Sequence, residues 1–488
     1  MAMVSRRSFV GLGIGLGMAG LGAAAYRSAR LHVDASRQSA LYAIQGHASF
    51  GLGARVPVFS YTHNPDNLDA IGPPVLTARQ GETFSTRFYN RIPSPSTVHW
   101  HGIRVPFAMD GVPLLTQNPV FPGESFSYRF SIPDAGTYWY HPHYASLDQI
   151  GRGLSGLLVV HEKDDPGYDA DLPLLLRDWR LDEAGAWQAL STPRTAARAG
   201  TFGGVHTVNW RMQPRYEVPA GGLVRLRLCN TDVTRIFRVI PKGAPAIVVA
   251  LDGHPVAQPF PLGREMLGPG MRIDVVVRMP DEVGGLFELR NVSSSHPWTM
   301  VQLVAQGTSR RRLLSDICPL PLNPVSHPDL DQAAVRTIRM DFNAAPGGGS
   351  GMSLWSINKR SWIENVGRDP NQPAFPLLPG QDFSQARAAI CGGGDPLETL
   401  EYGRSYMFEL NNFTPHLHPI HIHGLTFMLV SSNRRRIRAG QFTDTALLLP
   451  KERLKIALVA DNIGEWMVHC HIIEHQIFGM MGTIKVRA

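Results

Sequence analysis

The sequence predicts an all-β protein built from three Greek-key β-sandwich domains, and three observations carry that reading. The chain has 488 residues, which at about 150 residues per domain makes about three domains, each long enough to bury its own core. Its 48 Gly and 38 Pro punctuate short runs of Val, Thr, Tyr and Phe, a pattern that favours brief strands joined by turns over long helices. An internal repeat is the third observation, and it organises the chain.

A Gly is followed nine positions later by an Asn three times: Gly81 to Asn90, Gly221 to Asn230 and Gly403 to Asn412. Each pair brackets a segment of period two (TFSTRFYN, GLVRLRLCN, RSYMFELNN), the mark of a half-buried strand that ends in a turn. A second element follows in each copy, where Pro122-Gly123-Glu124, Pro269-Gly270-Met271 and Pro450-Lys451-Glu452 lead into SFSYRF, RIDVVV and RLKIAL. Gly136, Gly285 and Gly464 then open a further strand. Three homologous sandwiches account for these copies, with domains expected at 40–170, 171–335 and 336–488. The Gly/Pro-rich segments near Pro346 and Pro376 read as loops of the third.

At the N-terminus, Ser5-Arg6-Arg7-Ser8-Phe9-Val10 precedes an apolar, Gly-rich stretch that ends in Ala23-Ala24-Ala25. This is the pattern of a twin-arginine export signal covering residues 1–25. The apolar stretch is shorter than the roughly 20 residues a bilayer requires, so the mature protein is expected to be periplasmic or extracellular, without stable membrane insertion. The formal charge of +7 falls by two when Arg6 and Arg7 leave. The remaining basic residues are scattered, the densest groups being Arg310-Arg311-Arg312 and Arg434-Arg435-Arg436, so no nucleic-acid partner is expected. Four cysteines, Cys229, Cys318, Cys391 and Cys470, make at most two disulfides; Cys318 and Cys391 are candidates to pair, and Cys229 reads as a buried thiol.

The histidines follow the repeat. Nine residues after the Asn of the first and third copies stand His99-Trp100-His101 and His421-Ile422-His423; five residues after the downstream Gly stand His141-Pro142-His143 and His469-Cys470-His471. The middle copy has Val239 and Arg290-Asn291-Val292 at these places. Residues i and i+2 of a strand point to one face, so each pair presents two imidazoles in one direction. Four pairs from two homologous domains can converge on one metal cluster at their interface. Imidazole suits copper, iron, nickel and zinc alike.

Cys470 discriminates among these metals. Lying between His469 and His471, its thiolate leaves the strand on the opposite face, toward a second site. His475 stands five residues on, Met480 ten residues on, and His418 just before the other pair. A thiolate, two imidazoles and a thioether form the ligand set of a blue-copper electron-transfer centre. Zinc has no need of the Met, and an iron–sulfur cluster wants more Cys. His206, His254, His296 and His327 lie outside every repeat position and read as structural or surface residues; His416 reads as a loop histidine.

The chain resembles the three-domain multicopper oxidases, the laccase-like family, over nearly the whole mature length. The four motifs are HWHG (99–102), HPH (141–143), HPIHIHG (418–424) and HCHIIEHQIFGM (469–480). The resemblance implies three cupredoxin domains and four copper ions. One type 1 copper would sit on His418, Cys470, His475 and Met480, and one type 2 copper on His99 and His421. A type 3 pair would sit on His101, His141 and His469 with His143, His423 and His471. It further implies that a reductant gives up single electrons at an exposed edge of His475, that Cys470 relays them, and that Asp110 serves the cluster as an acid. Many bacterial members have a Glu after the type 1 His; here Gln476 stands there, an amide that cannot titrate, and Glu474 is the nearby acid.

The activity implied is oxidation of phenols or aromatic amines coupled to reduction of O2 to water. Two alternatives stand beside it: a cuprous or other metal-ion oxidase of copper tolerance, and a non-enzymatic cupredoxin scaffold. The 16 Met are dispersed, only Met340 and Met352 standing near the third-domain loop, which favours organic reductants. Three complete domains make a monomer sufficient for the cluster.

Overall fold

The computed structural model describes residues 39–488 apart from 67, 69–71, 73, 345–353 and 363–394. The export signal, Cys391 and Met352 lie outside the described residues. Six sheets form three sandwiches. In the first, strands Val56–Thr62, Ser39–Ala48, Thr83–Asn90 and Ser125–Ser131 lie side by side in that order, facing a sheet of Val75–Arg79, Gly156–His161, Gly136–His141 and His99–His101. The second sandwich runs from Ala170–Trp179 to Trp298–Gln306, and the third from Thr337–Ala344 to Met481–Arg487. Each closes over its own core: Phe88, Tyr128 and Leu158 in the first, Leu226, Val275 and Phe287 in the second, Phe408, Ile456 and Trp466 in the third. The fold is thus all-β, with three cupredoxin-like sandwiches.

The repeated Asn explains how the scaffold reaches the histidines. Each of the three is buried and closes the strand it ends by the same three hydrogen bonds. The Nδ2 of Asn90 donates to the carbonyls of Ser94 and Val120, that of Asn230 to Arg235 and Leu267, and that of Asn412 to His416 and Leu449. Each Oδ1 accepts from the backbone two residues on, at Ile92, Asp232 and Thr414. This Asx-type clasp folds back the loop that delivers the next strand, which in the first and third copies begins with a metal-ligating residue type. The repeated Gly takes positive φ, 89° at Gly81, 58° at Gly221 and 79° at Gly403, as the turn requires.

The second sandwich clasps the other two. Its buried Arg272 donates to the Thr137 carbonyl of the first sandwich and to both oxygens of Asp444 of the third, at 2.8 and 2.5 Å. Its Arg225 binds Glu162 of the first at 2.6 Å and its own Asp274 at 2.6 Å. Charges this deep persist because each is paired and hydrogen-bonded. No helix among the described residues is long and apolar enough to cross a membrane.

Candidate metal centre

Within each outer sandwich the two histidine pairs sit on adjacent antiparallel strands. His99 lies opposite His141, and His421 opposite His469. All eight rings are buried to within 2 %, and they meet across the seam between the first and third sandwiches. His99 stacks on His423 with centroids 3.9 Å apart, and His101 on His421 at 3.8 Å. His141 meets His471 at 5.4 Å and His143 meets His469 at 5.3 Å.

The order of each pair is reversed against its partner, as an isologous, two-fold-like interface demands. Exchanging the sandwiches turns His99 into His421, His101 into His423, His141 into His469 and His143 into His471. Candidate ligand atoms cluster within 4.8 Å as His101, His141 and His471 on one side and His143, His423 and His469 on the other. The exchange maps these two triads onto each other. It also corrects one expectation from the motifs, since His469 and His471 trade places relative to the grouping they implied. Grouping His469 with His101 and His141 cannot satisfy the two-fold relation. His99 and His421 map onto each other and group with His101.

The donor set fits metal ions. The Nε2 atoms of His99, His141 and His421, the Nδ1 of His101 and both ring nitrogens of His143 and His471 are buried without a hydrogen bond. Buried polar atoms are almost always partnered, so this many orphans converging on one volume mark a place for Lewis acids. Burial, reinforced by neighbouring rings, holds His141, His143, His423 and His471 well below the ordinary histidine range. The rings are therefore neutral and offer lone pairs. The second sandwich closes the chamber with Gly270, where a Cβ would stand 2.8 Å from the ring of His471.

On the reverse face of the strand, Cys470 Sγ lies 3.6 Å from Nδ1 of His418 and 3.6 Å from Nδ1 of His475, and those two nitrogens are 3.0 Å apart. Met480 is fully buried beside them, its carbonyl accepting from Cys470 N–H and its own N–H donating to the His475 carbonyl. Burial pushes the Cys470 thiol up, so a thiolate forms there when a bound cation replaces the proton. Trp355 lies against His475 at 4.3 Å. The expectation of an exposed His475 edge is overturned. The ring is fully buried and its Nε2–H donates to the Arg198 carbonyl at 2.7 Å, because the 191–201 segment of the second sandwich folds over it.

Asp110 ends a short 3-10 turn and points into the histidine chamber. Its carbonyl accepts from His99 Nδ1 at 2.8 Å and its Oδ2 from His423 Nδ1 at 2.9 Å. The motifs missed its counterpart, Asp444. The carbonyl of Asp444 accepts from His421 Nδ1 at 2.9 Å, and its Oδ1 lies 3.2 Å from His101 Nε2. Burial would raise the Asp444 carboxyl, but Arg272 reverses this and holds it well below the carboxylate range. Both acids follow an HxHG motif, yet Asp110 stands 11 residues after His99 and Asp444 23 after His421, so counting along the repeat did not find the second. Glu474 faces away from the chamber. It is fully buried and accepts from Ser191 Oγ at 2.7 Å and Thr201 Oγ1 at 2.8 Å, locking the segment that covers His475. Gln476 is buried beside it.

The remaining histidines stay outside these groups. His206 binds Asp178 at 2.7 Å and stacks on Trp298, His254 is buried, and His416 is half-buried, edge-on to Trp355. Cys229 is a buried thiol and Cys318 an exposed one.

Two family models described as multicopper oxidase match residues 67–165 and 369–488, which hold all four histidine motifs. The chain is 29 % identical to the multicopper oxidase MmcO of Mycobacterium tuberculosis over 524 aligned positions, spanning 98 % of this chain and 95 % of that one. It matches a crystal structure of a multi-copper oxidase from Pseudomonas thermotolerans at 39 % identity with a TM-score of 0.79, covering 92 % of this chain and 99 % of that one. A laccase-like multi-copper oxidase from Ochrobactrum superposes with a TM-score of 0.73 at 25 % identity, covering 93 % and 98 %. An identity near two in five over almost the full length, on a scaffold that converges these histidines, places the chain in the multicopper oxidase family, as an oxidase that passes electrons from a reducing substrate to O2.

Proposed function

We propose that the chain is a laccase-type oxidase that takes single electrons from phenols or aromatic amines and delivers four to each O2, which leaves as water. Four coppers are assigned. His418, Cys470, His475 and Met480 would hold the type 1 ion, and His99 with His421 the type 2 ion. His101, His141 and His471, with His143, His423 and His469, would hold the type 3 pair. Bound copper would supply one-electron redox chemistry at each site.

The observation that carries this reading is the strand Gly464–Cys470 and the residue after it. Cys470 points to one side while His469 and His471 point to the other, so a few covalent bonds join the two sites. Asp110 holds a carboxyl against the rings of His99 and His423, where it can pass protons to oxygen as water forms. Asp444 and the backbone carbonyls fix the ring orientations, as outer partners of ligating imidazoles do. Met340 packs fully buried in the third core, where it cannot receive a metal ion from solvent, which favours organic reductants over cuprous ion. The same reading has the chain exported through the twin-arginine signal at Arg6 and Arg7 and working as a monomer.

Oxygen uptake by the copper-loaded protein, measured with a phenol and with Cu(I), tests the choice of reductant. Saturable uptake with the phenol is expected; saturation with Cu(I) alone sinks it. Elemental analysis should return about four coppers per chain, the sum of the mononuclear and trinuclear sites.

A further inference from the structure

The cover over His475 raises the question of where a reductant makes contact. The Nε2 edge is taken by the Arg198 carbonyl, and Glu474 pins the covering segment through Ser191 and Thr201. The outer nitrogen of His418 is closed as well, bound to Thr414 Oγ1 at 2.7 Å. A cavity of about 560 Å3 nevertheless opens beside this centre, walled by the second and third sandwiches. Leu417 and Ile472 are among the residues that line it. Leu417 is bonded directly to His418, and Ile472 lies two residues from Cys470. The volume falls within the range of small-molecule sites.

The lining is distinctive in charge. Among the described residues it contains no Asp or Glu, and it includes Arg235 and Arg238 together with Phe202 and His416. Arg235 is committed to Asp178 by an ion pair. Arg238 is exposed on the strand Phe237–Lys242, and its guanidinium meets Met266 Sδ at 3.6 Å, with no carboxylate in ion-pair distance among the described residues. Phe202 is half exposed and offers a ring face. A cationic mouth over aromatic walls attracts an anion with a flat apolar body and repels a metal cation.

We propose that this cavity binds a small aromatic carboxylate bearing an oxidisable phenol, with its carboxylate on Arg238 and its ring between Phe202 and His416. Leu417, bonded to His418, joins this cavity to the candidate type 1 ligands. The proposal rests on the laccase-type reading and names its substrate class. Each phenol loses one electron and its hydroxyl proton to become a phenoxyl radical. Four such losses reduce one O2, with four protons, to two waters.

The test compares 4-hydroxy-3-methoxycinnamate with its methyl ester on the copper-loaded enzyme, and measures binding of the non-oxidisable 4-methoxybenzoate by calorimetry. In native protein the acid should show the lower KM. Arg238→Gln should raise the acid-to-ester KM ratio roughly tenfold, the worth of one charge-assisted hydrogen bond, and weaken 4-methoxybenzoate to a similar degree. Arg238→Glu should go further. The blue absorption of the resting protein reports that each variant is folded and loaded. A second variant, Ser294→Trp, fills the mouth and should raise KM for acid and ester together. An unchanged KM ratio in Arg238→Gln, or unchanged KM values in Ser294→Trp, overturns this site while leaving the laccase-type reading intact. Turnover of Cu(I) with neither phenol accepted overturns both.

Discussion

Asp110 of the first sandwich and Asp444 of the third occupy matching positions in opposite company. Each carbonyl fixes the first imidazole of its own HxH pair, and each carboxylate reaches the second imidazole of the pair across the seam. Asp444 is also gripped by Arg272, whereas among the described residues no Lys or Arg comes within ion-pair distance of Asp110. A carboxylate held by a buried guanidinium stays an anion, so Asp444 is a fixed strut that orients rings. Asp110 lacks that partner, and under the proposed function it is the carboxyl that passes protons. Two-fold scaffolding thus supplies two acids, and a single arginine from the middle sandwich separates their surroundings.

The reverse faces of the same strands differ in a similar way. Behind the histidines of the third sandwich lie Cys470, His418 and His475. Behind those of the first, Pro142 stands in the place of Cys470, and Ser96, in the place of His418, donates to Gln149 at 2.8 Å. The first sandwich keeps the chamber wall and closes the back with an ordinary hydrogen bond. One Cys–His donor group therefore backs one chamber, which the proposed function reads as a single electron entry.

Removing the entry should have the largest effect. Cys470→Ser is expected to abolish the blue absorption and all oxidase turnover while copper content falls by only about one ion per chain, since the chamber ligands point the other way. Loss of every copper would break the separation of the two faces. The mirror experiment, Pro142→Cys, should create no second blue band, because Ser96 offers no imidazole. Next comes the strut: Asp444→Asn leaves Arg272 without its closest counter-charge and should lower stability by about 3 kcal/mol in denaturant unfolding, with Asp252 at 3.6 Å softening the loss. Asp110→Asn should keep native stability and blue colour but slow oxygen turnover about 10- to 100-fold, as changes to outer partners of ligating histidines do. If the two Asn variants gave the same phenotype, the division of labour between the acids would fail.

Much of this was legible in the sequence because the repeat carries both backbone and chemistry. Gly81, Gly221 and Gly403, with the Asn nine residues on, marked three strands that the fold contains, and the HxH spacing put eight imidazoles on two facing sandwiches. Even the correct partners of His469 and His471 were implicit, since a two-fold relation between homologous domains permits only one division into triads. What sequence could not supply comes from long-range closure. Asp444 reaches His101 over an unequal loop, Arg272 enters from a domain without ligands, and the 191–201 segment lies some 280 residues before the His475 it covers. Glu474 stands near Gln476 along the chain, but its direction is not legible in the sequence. Its neighbours in space, Thr201 and Ser191, turn it into an anchor.

The smallest effect expected concerns the clasp that holds the first sandwich, and it follows pH. Burial alone would raise the Glu162 carboxyl, but Arg225 and Arg227 outweigh burial and hold it below the ordinary glutamate range. Asp171, facing Arg227, is lowered in the same manner. A carboxyl whose folded pKa is depressed contributes stability that is complete above its unfolded value, near about 4, and lost as pH falls through the folded value. Thermal midpoints should therefore show no change from this clasp between neutral pH and about 5, and a decline only below about 4. Glu162→Gln should cost about 2 kcal/mol at neutral pH, the worth of a charge-assisted hydrogen bond, with Asp274 still holding Arg225. The gap between variant and native protein should then narrow as acid protonates the native carboxylate. A gap that stays constant down to pH 3 would mean that the clasp acts through packing, and that the arginines of the middle sandwich hold its two neighbours by different physics.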